Sequence, residues 1–241
     1  VRYVPFSSPP IRFDSRTGRT PIPLTNRFDD PGPGIGLPRE QWFQTIYAAT
    51  GPQGAFGELI ANRRVRKHAA SANKRPDPGD FLDPQFPEHG TVTRDWRHDR
   101  RITQARVGQA VRFVDISHPR TLSFLLTNVV SELESIAGQH LDDFDLSDVM
   151  SRNRALTQHL ARYFHDLPGE EIAGIRYLSR HSSEWECWAL FADRVAGKLE
   201  IGESRPIAAD DPDLLAVARQ FGLSVETDIP GEYLRPWHDL P

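Results

Sequence analysis

Cysteine is almost absent from this chain. Cys187 is the single one in 241 residues, which excludes an internal disulfide framework and any zinc site built on several cysteines. No apolar run approaches the roughly 18 residues of a membrane-spanning helix, so no such span is expected. The opening segment VRYVPFSSPP lacks a cationic stretch followed by an apolar one. A secretory leader is therefore not expected, and a cytoplasmic location is. Charge of one sign is not in excess either: 29 basic residues stand against 33 acidic ones, a formal net charge of −4. That balance gives no general attraction to a polyanion, and no nucleic-acid partner is expected.

The standard catalytic and binding motifs are missing as well. There is no HExxH, GxSxG, GxGxxG or DxDxDG segment. PGPGIG (31–36) is rich in glycine, but prolines interrupt it and no Lys-Ser/Thr follows, so it reads as a turn. Asp142, Asp143, Asp145 and Asp148 lack the glycine and terminal glutamate of a calcium loop and read as helix capping. No metal site is expected. His159 and His165 are six residues apart, a poor spacing for one helix face. His181 stands two residues from Ser179 with no identifiable carboxylate partner, so a hydrolytic triad is not supported. The basic stretches RRVRK (63–67) and Arg94–Arg101 read as solvated faces.

Hydrophobic residues make up 38% and charged residues 26%, a globular mix. Twenty prolines and seventeen glycines imply many turns and long loops. Residues 1–40 read as short extended pieces and loops. WFQTIYAAT (42–50) reads as a strand and AFGELIANRRVRK (55–67) as a helix, with GPQG between them. Residues 71–91 read as a long loop able to cover a site. VGQAVRFVDI (107–116) is a second strand, and PRTLSFLLTNVVSELESIAG (119–138) an amphipathic helix ending at glycine. Another helix over about 152–165 places Leu156, Leu160 and Phe164 on one face. IAGIRYL (172–178) and EWECWALFA (184–192) are strands joined by a short loop. Asp211 followed by Pro212 opens a last helix that stops at Gly222. Strands and helices interleave without strict alternation, which predicts an α+β fold in a single domain over 1–241.

Three segments stand out for chemistry: NRFDDP with Arg27, TIYAAT followed by AFGELI with Tyr47 and Glu58, and GIRYLSRHSSEWECWALF with Ser179. Singly they are weak signals. In order, together with VRYVP (Arg2, Tyr3) at the start and FVDISHPRTLSFL in the middle, they resemble the RES domain family. That family is named for an Arg, a Glu and a Ser. The resemblance spans about residues 1–195, leaving 196–241 as a C-terminal extension packed on the core. It departs from the family pattern at Leu178, where proline usually precedes the serine, and Ser182 and Ser183 stand close enough to compete for the serine role.

The resemblance implies an ADP-ribosyltransferase-like split, mixed β core with a cleft for NAD. It implies NAD as substrate, no resident cofactor, and an Xre-type antitoxin as partner. Oligomeric state stays open. Characterised members degrade NAD by hydrolysis or by phosphorolysis, the latter with inorganic phosphate as co-substrate. The residues suit such work. Arg27, with Arg2 as a second clamp, offers a guanidinium fork to a pyrophosphate. Tyr3 belongs with Arg2 in the expected substrate-binding set. Glu58 stabilises positive charge on a sugar carbon. Tyr47 offers a ring face and a hydroxyl. Ser179 hydrogen-bonds ribose or the attacking nucleophile. Two alternatives remain at this level: transfer of ADP-ribose to a protein or nucleic acid, and a module that binds NAD without turning it over.

Overall fold

A computed structural model describes residues 3–4, 26–64, 90–107, 111–137, 141, 144–169 and 171–236. Arg2, most of the 1–25 segment and the expected loop at 71–91 lie outside the described residues, apart from Gly90 and Thr91. The elements run β1 (Tyr3–Val4), β2 (Thr45–Ala49), α1 (Pro52–Ile60), β3 (Thr91–Val92), α2 (Arg94–His98), β4 (Arg101–Val107) and β5 (Arg112–Asp115). Next come α3 (Pro119–Asn128), α4 (Val130–Ala137), α5 (Leu146–Val149), α6 (Arg154–Asp166), β6 (Ile172–Leu178) and β7 (Glu186–Phe191). The chain continues with α7 (Ala192–Val195), β8 (Leu199–Pro206), α8 (Pro212–Phe221), β9 (Ser224–Glu226) and β10 (Tyr233–Leu234). The fold is α+β. Among the described residues no helix is long and apolar enough to cross a membrane.

The central sheet has the strand order β1-β5-β6-β7-β2 and is mixed: β5 and β6 are parallel, and the other pairs are antiparallel. One face packs on α3, α4 and α6 through Val114, Leu125, Leu133, Leu160, Phe164 and Ile175. The other carries Ala48, Phe113, Ala173, Trp188 and Leu190. Ile172 and Ile175 share one core although simple alternation separates them. Gly174 makes this possible. A Cβ there would stand 2.2 Å from the Ala189 carbonyl oxygen, so only glycine lets the two strands approach this closely.

A second core joins Phe56 and Ile60 of α1 to Leu214, Val217, Ala218 and Phe221 of α8. α8 keeps the bounds its sequence predicts. Asp211 accepts from the N–H groups of Asp213 and Leu214, and Gly222 closes the helix at φ 68°.

Several boundaries differ from the sequence reading. α1 starts at Pro52 and gives way to a 3-10 turn at Ala61–Arg63. The expected strand at 107–116 is two strands, β4 and β5. β4 and β8 form a separate ribbon that periodicity does not disclose, because β8 is exposed over most of its length. The helix expected over 119–138 is broken at Val129. Thr127 Oγ1 and Asn128 Nδ2 donate to the carbonyls of Ser123 and Phe124, and such back-bonding bends a helix at its last turn.

The basic run Arg94–Arg101 is not simply a solvated face. Arg97 is 1% exposed and donates to the carbonyls of Ile207 and Glu226 and to Asp228. Arg63 is buried too. Both arginines lie buried in short helical segments, which a charge count cannot foresee.

Candidate functional site

Glu58 and Ser179 lie 121 residues apart and meet. Ser179 Oγ donates to Glu58 Oε1 at 2.5 Å. The contact depends on Trp185, in the loop between β6 and β7. Its carbonyl accepts the Ser179 N–H at 2.8 Å, fixing the end of β6. Its ring lies flat under α1 at Gly57, where a Cβ would stand 2.0 Å from Cζ3. Glycine next to Glu58 thus lets the helix settle onto the indole and bring the carboxylate to the serine. Ser179 is 2% exposed, and its Oγ also accepts the His181 N–H at 3.1 Å. Ser182 takes another part: its carbonyl accepts the Trp185 N–H and its hydroxyl the Glu184 N–H, so it shapes the turn.

Arg27 sits on a tight turn held by β2. Thr45 and Tyr47, two residues apart and therefore on one side of the strand, grip the two polar groups of Phe28. Thr45 Oγ1 donates to the Phe28 carbonyl at 2.9 Å, and the Phe28 N–H donates to Tyr47 Oη at 2.8 Å. Tyr47 Oη in turn donates to Asp29 Oδ1 at 3.0 Å. Asp30 accepts from the N–H groups of Gly32 and Phe43 and from Arg162. The Tyr47 hydroxyl is therefore occupied in fixing the Arg27 turn. Burial pushes the Tyr47 phenol well up and raises the Asp29 carboxyl.

The Arg27 guanidinium lies over the Tyr177 ring, 5.3 Å from its centroid. The residue is 7% exposed, and among the described residues its Nη1 has no hydrogen-bond partner. A buried, unpartnered guanidinium nitrogen is costly and points to a ligand anion. Tyr177 carries Arg27 and Glu58 in its electrostatic surroundings, and burial pushes its phenol well up. Cys187 is buried and its thiol is likewise pushed well up by burial, so it stays neutral and offers no thiolate.

Of the residues expected from sequence, Glu58 and Ser179 are in direct contact, Arg27 joins them through Tyr177, and Tyr47 supports the Arg27 turn from behind. The Tyr3 backbone pairs with Val114 in β1; its side chain and Arg2 lie outside the described residues. Asp145 and Asp148 form a capping box on α5, while Asp142 and Asp143 lie outside the description. Among the described residues no cluster of His, Cys, Asp and Glu is arranged to hold a metal.

Sequence reasoning set His181 aside for want of a carboxylate partner, read Arg64 as part of a solvated face, and missed Arg180 and Phe221. His181 and Arg180 directly follow Ser179, which was the available signal. Burial first, then neighbouring arginines, push the His181 imidazole down to about 4, so it is neutral at pH 7. Its Nε2 faces Arg180 Nε at 3.5 Å. Its ring meets Phe221 edge-on, as does Trp185. Arg64 lies on the Phe221 face, 3.5 Å from the centroid.

No match is found among curated proteins or among solved structures. A protein-family model described as RES domain matches residues 4–210, running past residue 195 to take in β8.

Proposed function

This chain belongs to the RES domain family, and from that premise we propose that it degrades NAD by cleaving the nicotinamide–ribose bond, with water or inorganic phosphate as acceptor. The observation that carries the reading is the 2.5 Å contact between Ser179 Oγ and Glu58 Oε1, beside the unpartnered Nη1 of buried Arg27. NAD offers a matching set of groups. Its pyrophosphate supplies the anion that Arg27 lacks. Its glycosidic bond breaks with the electron pair leaving on the ring nitrogen, which neutralises the pyridinium. The sugar carbon then carries oxocarbenium charge, as in glycoside hydrolysis. The Glu58 carboxylate stabilises that charge. Nicotinamide leaves neutral, so no acid is required on the leaving group. Ser179 holds Glu58 in place and is itself oriented by the His181 N–H. Its hydroxyl proton is committed to Glu58 Oε1 and its lone pair to the His181 N–H, so Ser179 serves as a hydrogen-bonding group.

The cellular role we assign is that of a toxin restrained by an Xre-type antitoxin, by way of the family. The test is incubation of purified protein with NAD, with and without phosphate, and mass spectrometry of the products. ADP-ribose 1″-phosphate formed only with phosphate identifies a phosphorylase, and ADP-ribose in both identifies a hydrolase. Glu58→Gln keeps the shape and removes the charge, and is expected to lower kcat by about 10²–10³-fold. Unchanged turnover in Glu58→Gln sinks the assignment, and label from NAD appearing on macromolecules points instead to transfer.

A further inference from the structure

The groups beyond Ser179 make a second positive locus that the Arg27–Glu58–Ser179 set does not use. Arg180 is an exposed residue that feels Arg27, Arg152 and Arg154 as like charges, with Glu58 as a countercharge, and partial burial of its side chain together with these arginines lowers its hold on its own proton. Arg64 is held against Phe221, and Phe221 against His181. The neutral imidazole touches Arg180 and the Phe221 ring that carries Arg64, without adding charge. Arg64 Nε is buried and, among the described residues, has no hydrogen-bond partner. A pyrophosphate at Arg27 satisfies that arginine and leaves the excess of positive charge at Arg64 and Arg180 in place. Congregated cations of this kind are relieved by a bound anion.

Arg180 feels both Arg27 and Glu58 and so borders the bond-breaking point, while Arg64 stands farther along the chain of contacts through Phe221. Arg64 follows Glu58 by six residues along the last turn of α1 and a 3-10 turn, which at about 1.5 and 2.0 Å per residue carries the backbone about 10 Å onward. An attacking phosphate has to lie against the sugar carbon beside Glu58. An anion at Arg64 lies farther off, where another part of a long substrate reaches. Phe221 belongs to α8, outside the segment matched by the family model. This wall of the site is therefore supplied by the chain's own C-terminal region.

We propose that Arg64 and Arg180 form a second anion subsite for a phosphomonoester borne by the dinucleotide, with Phe221 as the positioning residue that holds Arg64 in it. The substrate class this selects is a nicotinamide dinucleotide carrying an extra phosphate on its adenosine ribose, that is NADP over NAD. The inference rests on the proposed dinucleotide cleavage.

The test compares kcat/KM for NADP and NAD in the wild-type chain and in Arg64→Ala, Arg180→Ala and Phe221→Leu. Arg64 and Arg180 are not core residues, so their truncation leaves the fold in place. The wild type is expected to favour NADP by about tenfold or more, the scale of a charge-assisted contact. Each variant is expected to bring the ratio toward unity, the loss appearing in KM for NADP. A wild-type ratio near unity, or one that none of the variants changes, overturns the proposal. Calorimetry with adenosine 2′,5′-bisphosphate and adenosine 5′-monophosphate reads the subsite without turnover. Tighter binding of the bisphosphate, weakened by Arg64→Ala, supports the subsite even in a protein that cleaves neither dinucleotide, a result that would fail the proposed function alone. Equal affinity for the two nucleotides overturns it. If inorganic phosphate accelerates NAD loss and Arg64→Ala abolishes that acceleration, the subsite holds free phosphate, and the phosphomonoester assignment falls.

Discussion

His181 links three parts of the site. Its backbone N–H orients Ser179, its carbonyl accepts from Gln220, and its ring packs on Phe221. The imidazole titrates near 6.5 when unperturbed and about 4 in the fold, chiefly because burial disfavours the charged form. Between those values the unfolded chain binds the proton more readily than the folded one. The stability that follows is complete above pH 6.5 and is lost as pH falls from 6.5 toward 4. Urea unfolding of the wild type and of His181→Gln across that range is expected to show a shallower pH dependence in the variant. Parallel curves would mean that the imidazole contributes nothing to acid sensitivity.

At the scale of elements, the site is a meeting of α1 with the β6–β7 loop. Gly57 sets the distance between them. Alanine in place of glycine favours an exposed helix by about 1 kcal/mol, but here the added methyl lies 2.0 Å from the Trp185 ring. Trp185 is itself 7% exposed and packed against Phe221, so it cannot retreat. Overpacking of about 1–3 kcal/mol therefore wins. Gly57→Ala is expected to lower stability by about that amount in chemical denaturation. Turnover should fall with it, because Glu58 is the next residue and moves with the helix. A variant as stable and as active as the parent would show that α1 does not need this close approach.

At the scale of the molecule, the two cores do different work. The sheet with α3, α4 and α6 carries β6 and β7, and hence Ser179. The core between α1 and α8 carries Glu58 from one side and Phe221 from the other. α8 follows the segment matched by the family model, yet it buries Leu214, Val217, Ala218 and Phe221. Burial of each larger side chain contributes about 1.5–3 kcal/mol, and the sum is comparable to a typical domain's whole stability of about 5–15 kcal/mol. A chain ended after Asp210 is therefore expected to lose its cooperative thermal transition. Retention of a sharp transition, with NAD turnover intact, would show that α8 is dispensable.

The sequence by itself determined the α+β class, the bounds of β6 and α8, and the apolar face of α6. These are local matters of strand pattern, capping chemistry and helical spacing, carried within a dozen residues or so. It also made Arg27, Glu58 and Ser179 visible, through the order of short motifs along the chain. Tyr47 was visible too, but its hydroxyl proves to be engaged by Phe28 and Asp29, which only the packing of one turn on β2 could disclose. Only the tertiary structure brought Ser179 onto Glu58, buried Arg97 in a polar nest of carbonyls, and set Arg64 on Phe221. Each of these contacts joins groups far apart in the chain, and each depends on which face a helix turns inward. A charged residue looks the same in the sequence whether that face meets water or the core.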